Sequence, residues 1–394
     1  MPATVPAAFP FIQVTIDTSA LTPIAQRSPG VIAIVGKTPG GAGGGDAAFN
    51  TPTVVDTADD VSQHFAKVNG DGSVADTTLS TSVKLAMLQN PAPSKIYGVK
   101  VNGADYAAAL ASLEAADDVD FVCLANETDV GAAAGGGNPA TNLHALKDHV
   151  ESMSSQGQKR LGVAMVNPAT VKVPTYVTDV DTAVSSLKSD LSRMVVIAAR
   201  GATVDVAAAA TGAIAGYAPQ VSMVLKRVRG VSIPTASQYG PSEIKGLSEA
   251  GIIPVIQPAL IVGGGFYFGE GRCYTTDASQ LYIDIVRVLD DIDFRLKAGL
   301  IGMIGDSRIT KAGLTQVRVR IDSILGPLLN AAVIDDYAIT IPLLSILSTP
   351  ESAWTATDQS LVTTGRANRT VDALVSITYG PAVHQLRVTL APKF

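Results

Sequence analysis

The sequence predicts an α/β protein that ends in an α+β unit, with an extended, strand-forming arm at either end. Three observations predict this. Short apolar strand patterns alternate with helical patterns from residue 31 to about 216, the order that builds a largely parallel sheet covered by helices. Two long helical periodicities follow after about residue 270. Both ends of the chain carry period-two patterns without a neighbouring strand to pair with.

Residues 1–27 are the predicted N-terminal arm. Five prolines lie in residues 1–30, and Ile12, Val14 and Ile16 alternate with Gln13, Thr15 and Asp17. So short a strand is not stable alone and must join a sheet elsewhere. Residues 28–100 form the first part of the core. Val31 to Val35 is a continuous apolar run after Pro29-Gly30, which suits a strand buried on both faces. Gly40 to Gly45 reads as a loop. Helices are expected over 58–68, with Asp56 or Thr57 as cap, and over 79–89, followed by a strand over 95–101.

Residues 101–200 read as an outer, inserted α/β domain. Its expected helices are 106–116, 142–155 and 181–189, and its expected strands 121–124, 161–166 and 194–198. Residues 201–270 return to the core, beginning with the Ala-rich helix 206–216.

Residues 271–394 form the predicted C-terminal assembly domain, long helices packed on a mixed sheet, ending in a strand arm. Leu281, Ile285, Val288, Leu289, Ile292, Leu296 and Leu300 recur at helical spacing, with Asp284, Arg287, Asp291 and Arg295 opposite them. Leu314, Val317, Ile321, Ile324, Leu325 and Leu328 mark a second helix, ending near Gly326-Pro327 or shortly beyond. Val371, Ala373, Val375, Ile377 and Tyr379 share one parity. After the Gly380-Pro381 turn, Leu386, Val388 and Leu390 share another.

Composition narrows the function. The chain is 47% hydrophobic but only 16% charged, against roughly 25% charged in ordinary soluble domains. Much surface is thus expected to be hidden between subunits. A net charge of −6 without a basic run argues against a nucleic-acid partner. Cys123 and Cys273 form no CxxC pattern and read as buried apolar residues in a reducing compartment. Residues 1–10 show no secretory pattern. The apolar stretch 252–268 is broken by Pro254, Pro258 and three consecutive glycines, so no membrane insertion is expected.

No candidate catalytic constellation in the sequence is complete. Gly36-Lys37-Thr38 follows an apolar strand, yet a phosphate loop requires a glycine five places before Gly36, where Val31 stands. The Gly40–Gly45 run lacks the GxGxxG spacing. His144 and His149 are five apart, which points them away from each other on a helix and reads as a solvated face. Ser242 lacks the second glycine of a nucleophile elbow. Of the acid pairs Asp290-Asp291 and Asp335-Asp336, one member each should face solvent. No cofactor, metal or catalytic residue is therefore assigned. Two basic clusters remain as solvated faces or contact patches: Lys226, Arg227 and Arg229, and Arg308, Lys311, Arg318 and Arg320.

Taken in order, several segments resemble the tail sheath proteins of contractile phage tails and related injection machines. They are Ser28-Pro-Gly-Val-Ile-Ala-Ile-Val-Gly36, Ala58-Asp-Asp-Val-Ser-Gln-His-Phe65, and the helix ending in Gln89-Asn90-Pro91 before Lys95-Ile-Tyr-Gly-Val-Lys-Val101. Leu247 with Gly251-Ile252-Ile253-Pro254 is similar to the family's Leu-x-x-x-Gly-Ile-x-x signature. Ala331-Ala-Val-Ile-Asp-Asp-Tyr337 is similar to its Gly-x-Ile-x-x-Tyr turn. Where the family commonly carries Trp-Gly-x-Arg-Thr, this chain has Phe268-Gly269-Glu270-Gly271-Arg272-Cys273-Tyr274-Thr275.

The resemblance implies a structural, non-enzymatic subunit. Such subunits stack in hexameric rings as a helical sheath around a tail tube, with baseplate and tail terminator proteins as further partners. It implies assembly in a host cytoplasm, a place in the virion, and contraction that drives the tube through a cell envelope. It also implies that arm strands at Ile12, Val14, Ile16, Val371, Val375, Ile377, Leu386, Val388 and Leu390 are exchanged between neighbours. Arg308, Lys311, Arg318 and Arg320 are the candidate tube contacts. The alternatives are a nucleotide-binding α/β enzyme, or the sheath of a bacteriocin-like or injection-system particle.

Overall fold

Val31–Lys37 forms a strand because its five leading residues are apolar and all buried; it is an interior strand of the sheet that organises the molecule. The structure, a computed structural model, describes residues 30–38, 44–103 and 105–384. Its strands are β1 (Val31–Lys37), β2 (Thr53–Val55), β3 (Lys67–Val68), β4 (Val74–Ala75), β5 (Lys95–Val101), β6 (Phe121–Leu124), β7 (Leu161–Met165), β8 (Met194–Ala198), β9 (Arg227–Val228), β10 (Ile252–Ile256), β11 (Phe266–Phe268), β12 (Asp336–Thr340) and β13 (Leu374–Thr378). Its α-helices are α1 (Ala58–Phe65), α2 (Thr78–Met87), α3 (Ala107–Ala111), α4 (Asn142–Ser155), α5 (Tyr176–Val184), α6 (Val206–Gly216), α7 (Pro241–Ala250), α8 (Ile283–Leu300), α9 (Lys311–Asn330), α10 (Pro342–Leu347) and α11 (Ala356–Asn368).

Nine strands form one sheet in the order β2-β5-β1-β6-β7-β8-β10-β11-β9. The six from β5 to β10 run parallel, while β2 and β11 add antiparallel at either side and β9 pairs antiparallel to β11. Alternation of side chains gives the sheet two cores. Ile32 and Ile34 face α1, α2, α6 and the start of α8. Val31, Ala33 and Val35 face α3, α4, α5 and α7. This three-layer arrangement explains the apolar runs that carry no polar face.

Local chemistry sets the element ends. Thr57 caps α1 in a reciprocal box with Asp60. Gly251, at φ +87°, ends α7 in the left-handed region and turns the chain directly into β10.

Several expectations are corrected. The sheet runs without interruption across the expected boundaries at 100 and 200. Residues 101–200 supply β6, β7 and β8 to the same sheet as β1 and do not form a separate layer. The helix expected over 58–68 stops at Phe65, because Lys67–Val68 pairs with Val74–Ala75 in a small hairpin. The helix expected over 181–189 begins earlier, at Tyr176, and gives way to a 3-10 turn after Val184. The face carrying His144 and His149 is not solvated. His144 is buried, and His149 is half-buried with its Nε2 accepting from Arg160 Nη1 at 2.9 Å. The reason is that α4 also packs against α3 and the 185–187 turn, and that Arg160, held by the carbonyls of Leu113 and Ala116, lies against His149.

After β11 the chain builds a second, smaller unit from α8 to β13, with its own apolar cluster around Ile292, Ile321 and Leu325. Among the described residues, no helix is long and apolar enough to cross a membrane.

Candidate assembly interface

The C-terminal unit is tied to the sheet by one helix. Along the first half of α8, Ile283 and Val286 belong to the sheet's core and Val288 and Ile292 to that of the C-terminal unit. Three polar contacts fix this helix. Arg287 is buried and donates to the carbonyls of Ile214, Tyr217 and Ala218 at the C-terminal end of α6. A cation at a helix C-terminus satisfies carbonyls that have no partner within the helix. Burial pushes its guanidinium down to about 10, against the pull of nearby carboxylates. Arg193 makes a bidentate pair with Asp290. Asp284 accepts from Tyr379 Oη at 2.9 Å, tying the residue after β13 back to the start of the helix.

Asp284 and Arg287 were expected on the solvent face of α8, yet both are buried, while Leu289 from the apolar set is exposed. A single-face reading fails here because α8 is covered on two sides. No signal in the sequence marks that second side.

Against α8 lies α9, so close that a side chain at Gly299 would collide with Ile324. Thr310 caps α9, accepting from Gly313 N at 3.2 Å. The helix runs on through Pro327 to Asn330. Val333 and Ile334 then bury beneath the start of β12.

β12 and β13 pair antiparallel, with Tyr337 opposite Ile377 and Ile339 opposite Val375. These four side chains face the α8–α9 cluster, yet all remain partly exposed. The opposite face carries Asp336, Ala338, Thr340, Leu374, Ser376 and Thr378. Among the described residues no further strand pairs with the outer side of either. A two-stranded sheet is marginal by itself, and its open edges are templates for more strands. β12 escaped the sequence reading, although Tyr337, Ile339 and Ile341 alternate with Ala338 and Thr340 and could have revealed it.

Of the expected arm residues, Val375 and Ile377 lie in β13 on its inner face. Val371 precedes the strand and packs against a separate cluster of Leu314, Ile341, Leu343 and Val362. Ile12, Val14, Ile16, Leu386, Val388 and Leu390 lie outside the described residues. The four expected tube-contact cations do not form one patch. Arg308, Lys311 and Arg318 are exposed. Lys311 and Arg318 share a flank of α9, about 20° apart, whereas Arg320 is turned about 180° from Lys311 at 100° per residue. Arg320 instead donates from Nε to Gly299 O at 3.0 Å, bracing α9 against the end of α8.

The carboxyl ends of β1 and β6 are where this sheet order places ligands in other folds. Here Lys37 Nζ donates to Glu127 at 3.2 Å and Asn142 at 3.4 Å and sits over the Tyr106 ring. Tyr106 Oη also donates to Glu127, at 3.0 Å. Nearby Asp205, fully buried, has its carboxyl pushed up by burial and accepts from Ser82 Oγ and the backbone N–H of Asn126 and Ala208. Lys37, the residue a phosphate loop would aim at its ligand, is thus paired within the protein. Both cysteines are buried, and burial pushes both thiols up.

No family model matches this sequence, and no curated protein matches it. Solved structures do. A chain of the anti-feeding prophage (AFP) baseplate, 6-fold symmetrised, is similar with a TM-score of 0.64 at 14% identity, over 98% of this chain and 99% of that one. A chain of the PVC sheath complex in the contracted state, from an extracellular contractile injection system, gives 0.64 at 13% identity, over 98% of both chains. The sheath tail protein of Desulfitobacterium hafniense gives 0.56 at 10% identity, over 84% of this chain and 93% of that one. The fold expected from the ordered segments is therefore met across nearly the whole chain.

Proposed function

From a chain that carries the fold of contractile-sheath proteins, we propose that it is a structural subunit that polymerises into a sheath. In this reading, hexameric rings stack helically around a tail tube, between a baseplate and a terminator, and contract to drive the tube through a cell envelope. The observation that carries it is the β12–β13 sheet, two strands whose outer edges pair with no other strand among the described residues, over a half-covered core. A strand from a neighbour's arm would complete the backbone hydrogen bonding and cover Tyr337, Ile339, Val375 and Ile377. Burying apolar surface at about 25 cal/mol per Å2 makes the filled sheet more stable than the open one. The residues that would supply such strands are Ile12, Val14 and Ile16 at one end and Leu386, Val388 and Leu390 at the other.

The role is non-enzymatic and needs no cofactor, because the work of contraction is stored when the extended lattice assembles. The particle is a phage tail or an injection machine. The nucleotide-enzyme alternative is disfavoured by the Lys37–Glu127 pair at the end of the sheet where other folds of this kind bind ligands. Negative-stain microscopy of the purified protein tests the class, with striated hollow cylinders expected. Removing residues 1–20 should leave a folded subunit that forms none; normal tubes from that truncation would sink the strand-exchange reading.

A further inference from the structure

The two strands that end the nine-stranded sheet, β9 and β2, carry surfaces of opposite charge. From residue 217 to 234 the chain holds Lys226, Arg227 and Arg229 and no acidic residue. Val228 turns into the core, so strand alternation leaves Arg227 and Arg229 on the outer side. Arg227 lies across Gly265, where a side chain would collide with its guanidinium. Lys226 Nζ stands 5.5 Å from the centre of the Tyr217 ring. Among the described residues no carboxylate pairs with any of the three. Arg227 and Arg229 line a groove of about 290 Å3 together with Phe266 and the half-exposed Leu88.

The β2 end has the opposite character. Residues 44–76 hold six aspartates and a single lysine. Asp46 is engaged by His64, Asp76 by Lys84, and Asp60 by the cap of α1. Asp56, directly after β2, and Asp59, in the first turn of α1, are exposed and have no ion pair among the described residues. Val54 in β2 is exposed as well. Each surface thus joins like charges, which repel one another, to apolar area left in water. Each supplies what the other lacks.

We propose that the β9 groove receives the β2–α1 edge of a second copy of this chain, with Arg227 and Arg229 facing that copy's Asp56 and Asp59. The two surfaces differ, so the contact is head-to-tail and repeats from copy to copy, closing into a ring or winding into a helix according to its rotation. Opposed charges of this kind steer the encounter and fix its register. The contact rests on the reading of the chain as a polymerising subunit and is separate from the β12–β13 edges.

The test is a charge swap in the full-length chain, with self-association followed by sedimentation and by microscopy at low and high salt. Arg227→Glu with Arg229→Glu should weaken association about tenfold at low salt and less at high salt. Asp56→Lys with Asp59→Lys should do the same. All four substitutions together should restore most of what either pair loses. Gln at the two arginines and Asn at the two aspartates replace the reversed residues if those variants do not fold, with several-fold weakening expected. Association indifferent to both pairs overturns the contact and leaves polymerisation through the arms standing. Weakening by both pairs without recovery in the combined variant overturns the assigned pairing of surfaces. A wild-type chain that stays monomeric throughout overturns the polymerisation reading and this contact with it.

Discussion

Arg193 and Asp290 hold the two units of the molecule together, Nη1 and Nη2 lying 2.6 and 3.0 Å from the two carboxylate oxygens. Their side chains are only 8% and 19% exposed. Arg193 lies at the start of β8 and Asp290 on α8, so the pair spans the junction that any rotation of the C-terminal unit must strain. Asp290→Ala should destabilise the fold by roughly 3 kcal/mol, because it strands a mostly buried guanidinium. Denaturant unfolding measures this. A loss below about 0.5 kcal/mol, the scale of an exposed pair, would show the contact to be incidental.

Arg287 makes a sharper case. Replacing it with Met keeps the volume but leaves the carbonyls of Ile214, Tyr217 and Ala218 without their donor. A loss of about 2–4 kcal/mol is expected. Arg287→Lys should not restore it, since one ammonium does not reproduce the planar fork. Thermal melting of the two variants checks both points, and full rescue by Lys would contradict the geometry.

The basic residues of α9 should divide in two. Lys311→Glu with Arg318→Glu should change stability by under about 0.5 kcal/mol, as expected of exposed positions. In the proposed sheath, the same pair should weaken binding to the tube, more at low than at high salt. Arg320→Glu should cost roughly 1–2 kcal/mol, because it removes the brace to the Gly299 carbonyl. Equal behaviour of all three positions in unfolding and co-sedimentation assays would refute the division.

His149 gives the fold an acid-sensitive point. Burial first, and the Arg160 cation second, push its imidazole down to about 4 from an ordinary 6.5. The unfolded chain therefore takes up this proton before the folded one does. The stabilisation is complete above pH 6.5 and is lost as pH falls from there toward 4, by up to about 3 kcal/mol. His149→Gln should flatten that part of the stability-against-pH curve, measured by urea unfolding at pH 7, 5.5 and 4.5. An unchanged slope would place the acid sensitivity elsewhere.

The sequence by itself determined the strands β1, β5, β6, β7 and β8, the two long C-terminal helices and the absence of a recognisable catalytic motif. Residues such as Val31 to Val35 bury both faces, and the helices of α8 and α9 repeat at the spacing their contacts require, so local pattern and global packing agree. The ordered segments from Ser28 to Tyr337 also carried the resemblance that the solved sheath structures then met as a fold.

Only the tertiary structure decided what crosses between elements. Whether Asp284 and Arg287 face water depends on which surfaces cover α8, and those surfaces come from α6 and Tyr379, far away in the chain. Whether residues 101–200 form a separate domain depends on strand order, because β6 returns beside β1 only in space. Whether β12 is a strand or a turn depends on Leu374–Thr378 pairing with it from more than thirty residues away. Periodicity reports one buried face of one element. It is silent on a second face and on the partner that covers it, and in this protein those partners place the open sheet edge that the proposed assembly uses.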